Sequence, residues 1–262
     1  MVLNKFQSVI EGLPVTIKFN ALHKSLMEDE RLRPRPVGDV MPDWKKEIAV
    51  KVEKEIDKGR SAKACPALDD YLHLGYVLPL WTDITLTRIT VDNQGGFRPD
   101  PNGTRIHWKV APGAPPIEMH TLDQVKGAEP LEPPFDINDI VKPLCPWFVE
   151  TPPGWSVLIL PLVMHEKRKK IPLNPIPGVV NTDHWHQINP PCAWGDVDPV
   201  MDLKAGTPFM HIIPFRRDET LKAEFSVIDT QLEWDQLKGF LNDFDGGYRR
   251  QQKTADKERA KK

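Results

Sequence analysis

Proline interrupts this chain too often for a helical bundle. There are 27 prolines among 262 residues, roughly twice the usual ~5% share. Each removes a backbone N–H and clashes with the preceding helical turn. Short strands joined by ordered loops are what such a chain can sustain. Between the prolines lie runs that alternate apolar and polar residues, the signature of half-buried strands. Val15, Ile17 and Phe19 alternate with Thr16 and Lys18 in a strand ending near Phe19. Tyr76 to Trp81 and Asp83 to Val91 read as two strands, Asn93 to Gly96 as a turn, and Thr104 to Val110 as a further strand. Asp136 to Val141, the two runs flanking Pro152-Pro153-Gly154, Gly178 to Ile188 and Phe209 to Phe215 complete the set.

Helical spacing is confined to the flanks. Trp44, Ile48, Val52 and Ile56 stand four apart, which predicts a helix over 43–58 with Asp43 at its N-cap. Pro66 to Leu74 reads as a short helix stopped by Gly75. Leu232, Leu237, Phe240, Leu241 and Phe244 predict an amphipathic helix near the C-terminus. The expected fold is mainly β, a compact sandwich or barrel with peripheral N- and C-terminal helices. Residues 1–247 are expected to form one β-rich domain with an N-terminal extension. The charged residues 248–262 lack an apolar face and are expected to form a flexible tail.

Composition excludes several classes. Forty per cent hydrophobic residues suffice for a core. A formal net charge of −2 gives no electrostatic case for an anionic membrane and shows no clear nucleic-acid patch. Cys65, Cys145 and Cys192 make no CxxC pair, so neither a zinc ribbon nor a disulfide framework is indicated. The N-terminus has no basic start followed by an apolar run, and no window reaches the ~18 apolar residues of a membrane span. A cytoplasmic protein is expected. The charge run Glu166 to Lys170 reads as a solvated loop.

The densest polar cluster lies between Pro152 and Arg217. Pro153 and Gly154 precede an apolar strand, Gly178-Val179-Val180 leads to Asp183, and Gly206 precedes an apolar run containing Ile212-Ile213. This order resembles the dUTPase and dCTP-deaminase superfamily over about sixty residues. The whole chain, including Lys63 to Ile84, is also similar to an uncharacterised family encoded by tailed phages and some bacteria. The first resemblance implies a dUTPase-like β fold, a homotrimer, and a binding site at Asn181, Asp183 and Trp185. Two departures argue against dUTP hydrolysis. The position of that family's water-activating aspartate holds Asn181, and an amide takes no proton from water at neutral pH. No Arg-Ser-Gly motif follows the strand at Val157 to Leu160.

A competing reading rests on histidines. His184 and His186 share a face if their segment is a strand, and His211 lies in another strand. Three neutral imidazoles suit a divalent transition metal such as Fe, Mn or Zn and leave coordination positions open. The spacing from Gly178 to His184 and His186 is similar to the first metal motif of cupins, although Pro190 and Pro191 replace its glutamate. Two expectations follow: a non-hydrolytic dUTPase-like, phage-like protein acting by binding or assembly, and a metal-dependent cupin-like small-molecule enzyme using His184, His186 and His211.

Overall fold

The structure, a computed structural model, describes residues 16–53, 58–100, 105–114, 117–119, 140–162, 173–184, 186–194, 199–217, 222–228, 230–231, 234–235 and 247–259. The chain divides into two compact units. One lies within Met1–Ile48 and Leu72–Asp218, the other within Ala49–Tyr71 and Glu219–Lys262.

In chain order, the first unit opens with β1 (Lys18–Ala21), α1 (Lys24–Glu28), β2 (Arg35–Pro36) and α2 (Asp43–Glu47). The second unit contributes β3 (Lys51–Glu53), β4 (Lys58–Arg60) and α3 (Pro66–Tyr71). The first unit resumes with β5 (Tyr76–Pro79), β6 (Ile84–Val91), β7 (Phe97–Pro99), β8 (Arg105–Val110) and β9 (Ile117–Met119). It continues through β10 (Ile140–Pro143), β11 (Trp147–Glu150), β12 (Trp155–Pro161), β13 (Leu173–Pro175) and β14 (Gly178–Asn181). Last come β15 (His186–Gln187), β16 (Cys192–Trp194), β17 (Val200–Leu203) and β18 (Pro208–Arg216), then α4 (Gly247–Arg259) in the second unit.

The first unit is mainly β and sandwich-like, and among the described residues its sheets do not close into a barrel. Its largest sheet runs β14-β12-β18-β5-β2. The others run β1-β11-β15, β13-β16-β10-β9 and β17-β6-β7, with β8 also pairing β6. Every pairing is antiparallel.

One continuous core draws on all four sheets, with Leu78, Leu86, Val141, Trp147, Val157, Ile159, Trp194, Met210 and Ile212 among its members. Full burial of a large apolar side chain contributes about 1.5–3 kcal/mol, so these alternating positions fix which face of each strand points inward. β18 is buried on both faces. Ile212 sits opposite Ile159 and faces the main core, while His211 sits opposite Leu160 and faces the other way. A second small cluster of Val37, Val77 and Leu162 supplies further buried apolar surface.

Pro152-Pro153-Gly154 does form a turn, with Gly154 at φ 81°. The strands it joins do not pair with each other: β11 and β12 belong to different sheets. The turn is therefore a crossover between layers and not a hairpin. The turn at Asn93 to Gly96 is a true hairpin between β6 and β7. Asp92 Oδ1 accepts from the backbone N–H groups of Gln94 and Gly96, at 2.9 and 2.8 Å.

The helix expected over 43–58 stops early. α2 ends at Glu47, and Ile48 is already extended at φ −76°, ψ 143°. Lys51–Glu53 instead pair with Lys58–Arg60 as a hairpin. Ser61 closes that hairpin, donating its hydroxyl to the Ala49 carbonyl at 2.5 Å and its N–H to Val50 at 2.9 Å. The β-branched Ile48, Val50 and Val52 favour that extended path once partners exist. In the same unit, the charged stretch after residue 246 carries α4. Arg249 anchors it to α3 through Asp70 at 2.7 Å and Asp69 at 3.1 Å. The expected helix around 232–244 lies almost wholly outside the described residues, as does the basic run 166–170.

Candidate functional site: a polar clamp at Asp183

The central stretch does assemble a polar cluster, and register explains how. Ser156 on β12 faces Asn181 on β14 directly, and Trp155 faces Arg216 on β18. One strand thus brings the end of β14 and the end of β18 to the Pro-Pro-Gly turn. Ser156 Oγ donates to Asn181 Oδ1 at 2.8 Å. Arg217 Nη1 donates to Ser156 Oγ at 2.8 Å and to the Trp155 carbonyl at 2.7 Å. Its own N–H reaches the Gly154 carbonyl at 2.8 Å. Asp183 Oδ2 accepts from Arg217 Nη2 and, at 3.1 Å, from the Gly154 N–H. Beside this, the buried hydroxyls of Thr151 and Thr182 share a hydrogen bond of 2.7 Å.

The electrostatics follow from these partners. The Asp183 side chain is 7% exposed. The hydrogen bond from the Arg217 guanidinium holds its carboxyl down at a pKa of about 2. Burial works against ionisation, and the Gly154 N–H works with the guanidinium. A carboxylate held that low is a poor general base near neutrality. Asp183 is the hub of a structural clamp tying together a turn and two strand ends.

The three histidines do not form one site. His184 lies in the turn after β14 and His186 on β15, both exposed. His186 Nδ1 donates to the Gln187 carbonyl at 2.7 Å. His211 is fully buried in another sheet, where Nε2 donates to the Leu74 carbonyl at 2.6 Å. Among the described residues, no three His, Cys, Asp or Glu side chains come together as a metal-holding group. The alternation expected of one strand is not formed, because His184 lies in a turn and only His186 is on β15, and β15 and β18 belong to separate sheets. Among the described residues, His184, His186 and His211 are thus not brought together as one set of ligands.

Of the expected binding residues, Asn181 and Asp183 enter the clamp, and Trp185 lies outside the described residues. Among the other tryptophans, Trp81, Trp147 and Trp194 are buried in the core, and Trp108 is 38% exposed. The Arg88 guanidinium, itself buried, stands 4.0 Å over the Trp194 ring, a cation–π contact. Cys145 and Cys192 are buried, and burial pushes the Cys145 thiol up to about 12 and the Cys192 thiol well above its ordinary value. Neither is an activated nucleophile.

Sequence reasoning missed Arg217, Ser156, Thr151 and Thr182. Arg217 carries no local motif. Its importance comes from the β12–β18 register, which sets it beside the turn preceding β12. Neither a protein-family model nor a curated protein matches this chain. No described helix is long and apolar enough to cross a membrane.

Proposed function

We propose that this protein is a non-hydrolytic, divergent β-sandwich protein of the dUTPase-like and phage-like kind, acting in the cytoplasm by binding or assembly, as a homotrimer. One observation carries the reading: the carboxylate at the motif position, Asp183, is committed to Arg217 and Gly154. The neighbouring Asn181 is an amide engaged with Ser156, where the resembling family has its water-activating aspartate. The polar residues that would carry hydrolysis are used to hold β12, β14 and β18 together.

The test has two arms. Purified protein incubated with dUTP or dCTP is expected to release no more pyrophosphate than a protein-free blank. Turnover abolished by Asp183→Asn, with the variant still folded, would overturn the non-hydrolytic reading. Sedimentation equilibrium is expected to give three chains per particle. A monomer at every concentration removes assembly and leaves binding alone.

A further inference from the structure

The sheet formed by β17, β6, β7 and β8 has one face turned away from the core, and register defines its residues. Lys109 stands opposite Thr85, His107 opposite Thr87, and Arg105 opposite Ile89. On the other side of β6, Phe97 stands opposite Val91 and Val200 opposite Thr87. Directly opposite residues share a face, so Arg105, His107, Lys109 and Phe97 point the same way. Their opposite-face neighbours on β6, Ile84 and Leu86, are buried.

Three properties of this outer face go together. Arg105, His107 and Lys109 are all exposed. Among the described residues, neither Arg105 nor Lys109 has a carboxylate partner, and the nearby Asp202 accepts the Thr85 hydroxyl at 2.6 Å. Phe97 is 61% exposed and stacks on His107, with ring centroids 5.4 Å apart and planes 19° from parallel. A strand rises about 3.3 Å per residue, so Arg105 and Lys109 stand about 13 Å apart along β8 with His107 midway. Among the described residues, two cations without a carboxylate partner therefore stand with an exposed, stacked aromatic pair.

We propose that this face binds single-stranded nucleic acid, with Arg105 and Lys109 meeting phosphates and the Phe97–His107 pair serving as a stacking platform for a base. It names a partner for the binding half of the reading above and rests on that half. Charge complementarity selects a polyanion. The open aromatic surface selects one with exposed flat rings, because stacking on sheet-borne aromatics is how single strands are held without sequence preference. A duplex buries its base faces and cannot use the platform. The net charge of −2 conceals the patch because it averages both signs over the whole chain, whereas Arg105 and Lys109 stand on one face of one strand.

The experiment is fluorescence anisotropy of the full chain with labelled oligo-dT and oligo-U of about 12 nucleotides, within the usual site size, over a range of salt. Binding to one or both is expected, and the pair of probes separates DNA from RNA. The log–log salt slope should be about −1.4, from two phosphates at about −0.7 each. Phe97→Ala should weaken binding by about 5- to 150-fold, the range for loss of one stacked base. Arg105→Glu with Lys109→Glu should abolish the salt dependence. Arg98→Glu changes an exposed arginine on the opposite face of the same sheet and should leave affinity unchanged. Circular dichroism melting checks that each variant remains folded. The proposal is overturned if neither oligonucleotide binds at low salt, or if duplex competes equally. Binding to anionic vesicles without oligonucleotide binding also overturns it. So does a Phe97-dependent oligomer with no oligonucleotide binding, which would assign the face to a second copy. None of these results alters the pyrophosphate assay, so the two readings fail separately.

Discussion

Asp183 and the histidines show how one side chain's role depends on what surrounds it. Because the folded pKa of Asp183 is depressed to about 2, from about 3.9 in an unfolded chain, its ion pair stabilises the fold fully above about pH 4. That contribution is lost as pH falls through about 2. Melting temperature measured from pH 6 to pH 2 should therefore fall steeply in the lowest part of the range. Asp183→Asn should melt lower than the parent above pH 4 and show a flatter acid limb. A parallel pair of curves would remove the clamp from the account of stability. The histidines should separate in the same way. His186→Ala, at an exposed site, should change stability by no more than about 0.5 kcal/mol. His211→Leu removes the hydrogen bond to the Leu74 carbonyl from a fully buried position and should cost about 1 kcal/mol or more by urea unfolding. A metal site shared by the two would instead make both substitutions costly.

At the level of elements, the strand pattern was legible because alternation reports the face a residue occupies. β5, β6, β8, β12 and β18 lie where the apolar runs predicted them. The helix over 43–58 was not, because a four-residue spacing of Trp44, Ile48 and Val52 contains no information about the β3–β4 pairing that outcompetes it. Gly75 illustrates a local signal with a tertiary cause. It was legible as a stop, but its φ of 75° also brings it against β18, where an added Cβ would overlap the Ile212 carbonyl oxygen. Gly75→Ala should therefore cost well over 1 kcal/mol, more than the backbone entropy it recovers. α4 makes the opposite prediction. Its anchor Arg249 is about one-third exposed, and such pairs contribute at most about 1 kcal/mol. Arg249→Ala should speed amide exchange in 247–259 while leaving the exchange of β12 and β18 unchanged.

For the whole molecule, the core of the first unit is shared among its sheets, so damage to one strand should be felt by all. Trp147 is 1% exposed within that core. Trp147→Ala should cost about 3–5 kcal/mol, with strand exchange accelerating in every sheet of the unit at once. Loss confined to β1, β11 and β15 would mean that the sheets unfold independently. The second unit joins 49–71 with 219–262, segments far apart in sequence. No composition shift marks it, because a discontinuous unit leaves no linker to read.

The sequence by itself determined that this chain is mainly β, since prolines forbid long helices and alternation within each run fixes a strand's buried face. It also determined that position 181 holds an amide and not a carboxylate, which is a matter of residue identity alone. Only the tertiary structure decided the partners. Arg217 meets Asp183 because β12 and β18 pair in one register and not another. His211 is removed from His186 because their strands belong to different sheets. Arg105, Lys109 and Phe97 share a face because β7 and β8 flank the same strand. Register and sheet membership are set by long-range packing, and a side chain's neighbours across strands leave no trace in its neighbours along the chain.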